Sequence, residues 1–541
     1  MFWDVLHAVL IVIFFTITVA VGFYAKKHAR DVGSFVLGGR NVGPWLTAFS
    51  YGATYFSAVV FIGYAGMFGW SYGISAVWIG LGNVFIGSLI AWKLLGRRAR
   101  IMTKHLSSNT MPDFFASRYD CKPMRTVAAA IIFIFLIPYS ASVFNGLSYL
   151  FTSALGLDRI QYGYEICIIA MSLLTALYVV LGGYMSNVIN DTIQGFVMLI
   201  GIVIVIGGVL NDHGGLMGSL AELSKFSSPT SPINGVYSSF LGPEPLNLLG
   251  VVILTSLGAW GLPQMVVKFY SIKDEKSVKA ATIISTVFAL FVAGGSYFLG
   301  AFGRIFVSPE EATNAITGKF STDMIMPIML EKAVSPLVVS LIVILVLSAS
   351  ISTLSSLVLS SSSTITLDLI VPSVKKEMSE TRKVTWIRVF LGIFVIISML
   401  LAIYSYRTND MYIAKLMSIS WGALSGSFIA PFLYGLFWKG VTKAAVWASF
   451  ISGVGITVTH LILSNGALFG HSFAFPTGLP INLASPINAG AFTMLFGLIL
   501  VPAVSLFTSK IRKEVIENAF AGYDIQIAAE QKKILPKDEV V

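Results

Sequence analysis

The chain has 541 residues, 56% of them hydrophobic and 11% charged, with a mean hydropathy of +0.82. That balance excludes a soluble globular domain and, because runs of apolar residues long enough to cross a hydrocarbon core of about 30 Å recur along the whole length, requires an all-α integral membrane bundle. The net charge of +10 falls mainly in short connections between apolar runs, so it reads as membrane orientation rather than affinity for nucleic acid.

About thirteen spans are expected. The first, 2–25, lacks a basic leader and is too long for a signal-peptide core, so it is expected to be retained; Lys26, Lys27 and Arg30 follow it and place its N-terminal end outside. The second, 43–69, starts at Pro44, is interrupted by Gly52, Gly63 and Gly66 and carries Ser50, Thr54 and Ser57, the pattern of a broken helix. The third, 76–95, leads into a basic loop containing Arg97, Arg98, Arg100, Lys104, Arg118, Lys122 and Arg125, within which Thr110-Met111-Pro112-Asp113 reads as a helix start. Spans four to six follow at 124–155, 162–184 and 188–210, the last opening with Asp191-Thr192-Ile193-Gln194, and a Ser-, Pro- and Gly-rich segment, 211–245, makes an external loop.

The seventh span, 246–270, is broken at Gly258-Ala259-Trp260-Gly261-Leu262-Pro263, where proline removes a backbone donor. Lys268 reads as the cytoplasmic end of that span. Span eight covers 278–305, and an external loop with Glu310, Glu311, Asp323 and Glu331 leads to span nine, 335–370. Spans ten to thirteen lie at 384–405, 411–438, 444–464 and 487–508, before a charged tail, 509–541. An odd number of crossings puts the N-terminus outside and the C-terminus in the cytoplasm of a multi-pass plasma-membrane protein, and the segments so assigned to the cytoplasm hold most of the 36 Lys and Arg.

Two features point to chemistry. In span nine, Ser348, Ser350, Ser352, Thr353, Ser355 and Ser356 put hydroxyls where a lipid-facing helix would carry Leu or Val; Ala349, Ser352, Thr353 and Ser356 share one helix face with Ser355 beside it. Such a stripe suits either a hard cation or close packing of two helices, and the segment alone leaves both open. The second feature is the pair of broken spans, two and seven. Counting from each gives five spans, and because five is odd the halves, 43–210 and 246–438, run in opposite senses, flanked by 1–42, the loop 211–245, two extra helices in 439–508 and the tail 509–541. Corresponding interrupted helices in inverted halves point to a transporter with its site at mid-membrane.

Cys121 and Cys167 fall in a predicted cytosolic loop and inside a span, so no structural disulfide is expected, and the six histidines show no metal-ligand spacing. No clustered nucleophile or metal set speaks for an enzyme, no cofactor is implied, and the oligomeric state is open.

Leu37-Gly38-Gly39-Arg40, Gly52-Ala53-Thr54-Tyr55-Phe56-Ser57, Phe61-Ile62-Gly63, Met111-Pro112-Asp113-Phe114, Gly182-Gly183-Tyr184, Asn190-Asp191-Thr192-Ile193-Gln194-Gly195, Gly261-Leu262-Pro263-Gln264, Ala349 to Ser356 and Ser362-Ser363-Thr364, in this order, resemble the sodium:solute symporter family, with motifs most like its bacterial sodium/proline and sodium/pantothenate branches. The resemblance implies a LeuT-type 5+5 inverted repeat and a symporter that imports a small organic solute with Na⁺ as coupling ion. It implies a main sodium site from the carbonyls of Ala53, Phe56 and Ala349 with the hydroxyls of Ser352 and Thr353, and a second from Asp191, Ser352, Ser355 and Ser356. Asp191 also fits a helix N-cap.

By position within the family, Tyr55, Ser57, Val60, Tyr139, Ser256, Ala259 and Trp260 would contact the solute. Proline carriers of this family hold an aspartate where this chain has Tyr55, which puts proline in doubt but not sodium coupling. The apolar Val60 and Ala259 argue against a polyhydroxylated sugar, and the amides freed at a helix break suit a carboxylate: a monocarboxylate, a pantothenate-like acid or an amino acid. Trp260 and Tyr139 also fit as packing aromatics. Proton coupling through Asp191 and a solute sensor of the same fold are the alternatives.

Overall fold

Proline sets many of the helix starts in this chain, because a first-turn residue does not need its amide hydrogen. Pro44, Pro245, Pro263, Pro336 and Pro486 each open a helix. The structure, a computed structural model, describes residues 2–26, 31–154, 156–157, 160–211, 213–314, 318–374, 377–408, 412–465 and 475–534. Among them the fold is helical, with isolated β-bridges only.

In chain order, α1 (Phe2–Lys26) precedes α2 (Pro44–Tyr55), which ends at Phe56. Helix resumes in α3 (Val59–His105), turned at Gly73, whose φ of +61° a side chain would strain. The short α4 (Met111–Tyr119) is capped by the Thr110 hydroxyl on the Asp113 amide, as Thr-Met-Pro-Asp predicts. Then come α5 (Lys122–Ala154) and α6 (Gly163–Asn211), the latter turned at Gly183 (φ +57°). The second broken span is α7 (Pro245–Gly261) and α8 (Pro263–Ser271), bent by 48°. After it follow α9 (Glu275–Gly300), α10 (Ile325–Ala333), α11 (Pro336–Thr364, helical on to Ser373) and α12 (Glu380–Thr408). The chain continues with α13 (Ile413–Phe437), α14 (Lys443–Asn465), α15 (Pro486–Phe507) and, within the charged tail, α16 (Lys513–Ile534).

The expected count of thirteen spans is corrected. Among the described residues nine helices are long and apolar enough to cross a membrane, or ten if α7 and α8 form one span. Expected spans two and three are joined, since Val59–His105 is counted as one helical stretch that turns at Gly73, while expected spans one and five correspond to α1 (Phe2–Lys26) and to the part of α6 before its turn at Gly183. A hydropathy window reads the two sides of the Gly73 turn as two spans, whereas helical residues follow one another directly on either side of it.

Burial separates centre from rim. The most apolar window of α13 is 94% buried and that of α11 72%, against 28% for α14 and 33% for α12, so α11 and α13 are interior helices and α14 and α12 meet lipid. Helix α11 packs on α5 and α6, and α2 packs on α6, α8, α9 and α11. The broken spans run antiparallel, with Ser50 beside Lys268 and Tyr55 beside Thr255, and where α2 begins and α8 ends a short parallel bridge joins Val42 to Ile272 through Val42 N–H to Ser271 O (3.1 Å) and Lys273 N–H to Val42 O (3.0 Å).

Candidate functional site

Ending a helix frees carbonyls. Between α2 and α3 the amides that would continue the ladder go elsewhere: Ala58 N–H to Ser350 Oγ (3.3 Å), Val59 N–H to Ser57 Oγ (3.2 Å) and Val60 N–H to Ser57 O (3.0 Å). The carbonyls of Ala53 and Thr54 turn instead to α11, where Thr353 Oγ1 lies 3.3 and 3.0 Å from them and 3.1 Å from Ala349 O. One hydroxyl hydrogen faces three carbonyl oxygens, so lone pairs are left converging on one fully buried point.

Three of the five residues expected in the main sodium site, Ala53, Ala349 and Thr353, are therefore in direct contact. Phe56 caps α2 (φ −110°, ψ 85°) and lines a small cavity with Ala349, Ser57 and Val60. The Ser352 hydroxyl is buried, has no hydrogen bond of normal geometry and faces the Asp191 carboxyl. The stripe divides further along. Ser355 donates to Ser352 O within its own helix (2.8 Å), while Ser356 Oγ is 3.0 Å from Thr54 Oγ1. Ser350 donates to Val346 O (2.7 Å) and supports the Ala58 amide, and Ser348 is buried without a partner.

Lys268 departs from its expected place. It is not at an aqueous end of the span: it is 1% exposed, and its Nζ lies 2.6 Å from Ser50 Oγ, 3.3 Å from Ser356 Oγ and 3.8 Å from Asp191 Oδ2. Ser50 donates in turn to Asp191 Oδ2. Asp191 is fully buried inside α6, so it does not act as a free helix cap, and its Oδ1 has no hydrogen-bond partner. A lone lysine in an apolar span is a signal that the sequence carried, since intramembrane charges face partners.

The residues expected to touch solute are all buried and fall in two groups. Tyr55 donates to Thr255 O (2.6 Å) and contacts Asn83 Oδ1 (3.3 Å), to which Ser256 also donates (3.2 Å); Trp260 Nε1 donates to Ile86 O (3.0 Å). Trp421 of α13 lies between Tyr55 (ring centroids 6.2 Å apart) and Tyr139 (5.9 Å), and Gly258, next to Ala259, has no side chain because one would strike that indole. Ser57 and Val60 sit apart, facing Met198, Ile202 and Val292. Asn83 and Trp421, the hubs of the first group, were not singled out in the sequence; Asn83 is an amide inside an apolar span and could have been.

The end of the bundle that carries the basic loop is cross-braced. Arg40 reaches the carbonyls of Thr103 (3.4 Å), Ser108 and Tyr270 (3.5 Å), Arg100 reaches Ile272 O (2.8 Å), and buried Asp368 at the end of α11 accepts from Arg125 (2.6 Å) and Thr110 (2.6 Å).

Comparison with known proteins places these features. Sodium/proline symporters of Staphylococcus aureus strains JH9 and NCTC 8325 are each 29% identical to this chain over 458 residues, covering 83% of it and 85% of the relative. A solved Na⁺-coupled sialic acid symporter, in a substrate-bound outward-open state, superposes with a TM-score of 0.68 at 16% identity, covering 94% of this chain and 99% of that one, so the two share the inverted-repeat, LeuT-like fold. Residues 35–453 match the model of the sodium:solute symporter family. With two antiparallel broken helices at its centre and that match over most of its length, this chain belongs to the sodium:solute symporter family and is a transporter, not an enzyme.

Proposed function

We propose that this protein imports a small carboxylate-bearing solute together with Na⁺ by alternating access, from a plasma membrane in which its N-terminus is outside and its C-terminus cytoplasmic. The observation that carries the reading is the convergence of the Ala53, Thr54 and Ala349 carbonyls on Thr353 Oγ1 beside the broken α2. A Na⁺ entering there takes the lone pairs that one hydroxyl hydrogen cannot satisfy, with Phe56 O and Ser352 Oγ completing the shell. All these ligands are neutral, so binding is moderate and release to the cytoplasm stays possible on every cycle.

Residues 43–210 and 246–438 serve as the two inverted halves. Solute binds between Tyr55, Tyr139, Ser256, Ala259 and Trp260, with Ser57 and Val60 on the far side of the α2 break. The name of the compared sodium/proline symporters supports the solute class, since proline carries a carboxylate. Asp191, Ser352, Ser355 and Ser356 form the second cation-attracting set.

The test is a thermal-stability screen of the purified protein against monocarboxylates, pantothenate and amino acids in Na⁺ and again in K⁺. A ligand that stabilises only in Na⁺ is expected, and the same ligand should accumulate in proteoliposomes down an inward Na⁺ gradient. Uptake indifferent to Na⁺ would sink the reading.

A further inference from the structure

The second cation-attracting set already has a cation beside it. Four elements converge: Ser50 and Thr54 from α2, Asp191 from α6, Ser352 and Ser356 from α11, and Lys268 from α8, whose side chain is 2% exposed against 0% for Asp191. The Lys268 ammonium has three N–H donors and finds Ser50 Oγ, Ser356 Oγ and the Asp191 carboxylate within 3.8 Å, with the Tyr184 ring 5.1 Å away over its remaining side. These include two of the oxygen-bearing side chains that a second Na⁺ would use.

We infer that Lys268 is a tethered cation that holds the Asp191 pocket permanently, so that this symporter is coupled to a single Na⁺ through the Thr353 site. The physical reason is charge and space. A buried carboxylate demands one compensating positive charge, and the ammonium supplies it from within the chain. A Na⁺ at the same oxygens would stand next to that ammonium in a medium of low dielectric, where two like charges repel strongly, and Asp191 cannot cancel both. The fixed charge also lies on a half of the broken span opposite α2 and α11, so it ties α8 to those helices whether or not Na⁺ is bound.

The inference rests on the sodium reading above, and counting bound ions separates the two. Equilibrium binding of ²²Na⁺ to the purified full-length protein is expected to saturate at one ion per chain. Lys268→Ala should raise it to two, because the carboxylate then lacks its partner; Lys268→Arg, which keeps the charge, should stay at one, and Lys268→Ala combined with Asp191→Asn should return to one. If Lys268→Ala does not survive purification, Lys268→Gln keeps a side chain of similar reach without the charge and should bind two. Two ions on the wild-type chain, or one on a folded Lys268→Ala or Lys268→Gln chain, overturns the inference about Lys268 alone. No ion on any of them overturns the sodium reading itself.

Discussion

Thr353→Val tests the main site with the smallest change of shape, since valine keeps the branched outline and loses only the hydroxyl. In the wild type that oxygen lies 3.3 Å from Ala53 O, 3.0 Å from Thr54 O and 3.1 Å from Ala349 O. In the proposed sodium site, deleting it removes one ligand of the ion. A contact of a polar group with a charged one is worth about 1.5–3 kcal/mol, which translates into a Na⁺ affinity lower by about 10- to 150-fold. The same deletion leaves the Ala53 and Thr54 carbonyls facing an alkyl group, at a cost of about 1–3 kcal/mol for a buried acceptor left without a donor, so the Na⁺-free protein should also melt at a lower temperature. The assay is the midpoint of a Na⁺ titration, read by thermal stability and by uptake in proteoliposomes, with Thr353→Ser as the control that restores the hydroxyl. A Thr353→Val protein that melts lower but keeps the wild-type Na⁺ midpoint would refute the ion-site reasoning and leave the stripe as a packing face.

Three further outcomes follow from other parts of the structure. Arg125→Ala should destabilise the protein by about 3–5 kcal/mol, because Asp368 is fully buried and loses its charged partner at 2.6 Å; the double variant with Asp368→Asn should recover most of the loss in a denaturation experiment. Tyr55→Phe should change solute affinity little and cost about 1 kcal/mol of stability, since in the closed pocket its hydroxyl is engaged by Thr255 O and Asn83 and not free for a ligand; a tenfold or larger loss of solute affinity with unaltered melting would show that the hydroxyl turns to solute when the pocket opens. Asp323, in the connection before α10, accepts from Ile413 N–H at 3.1 Å, and burial pushes its carboxyl up from 3.8 to about 7. A carboxyl raised in the folded state holds its proton more tightly folded than unfolded, so stability is greatest at or below its unfolded value and falls as pH rises from about 4 to about 7. Asp323→Asn should flatten that part of a melting-temperature profile against pH, and an unchanged slope would show that the profile belongs to other groups.

Which parts of this architecture are legible in the sequence depends on how far apart the cooperating residues lie. The break at Leu262-Pro263 is a local property, because proline lacks an amide hydrogen wherever it sits, and the structure bends there by 48°. The cap at Thr110 and the glycine turn at Gly183 are local in the same sense. The hydroxyl stripe of α11 is legible as periodicity, while what each hydroxyl faces is not: Ser348 and Ser352 are both buried without a hydrogen-bond partner, and Thr353 meets the carbonyls of α2. Span counting fared worse, since a window average reads the two sides of the Gly73 turn by composition alone, while the course of the backbone there is decided by the angles of a single glycine.

Composition and periodicity by themselves determined that the chain is a membrane bundle, that two of its helices are broken, and that one buried helix face is lined with oxygens. Only the tertiary structure decided what those oxygens face. Ala53 and Thr353 are brought within 3.3 Å by the packing of α2 on α11, and Lys268, read locally as the end of a span, is drawn by that same packing onto Ser50, Ser356 and Asp191. The physical reason is that a charge within an apolar segment is stable only opposite a partner, and the partner comes from another helix, so its identity is a property of the bundle and not of any stretch of sequence.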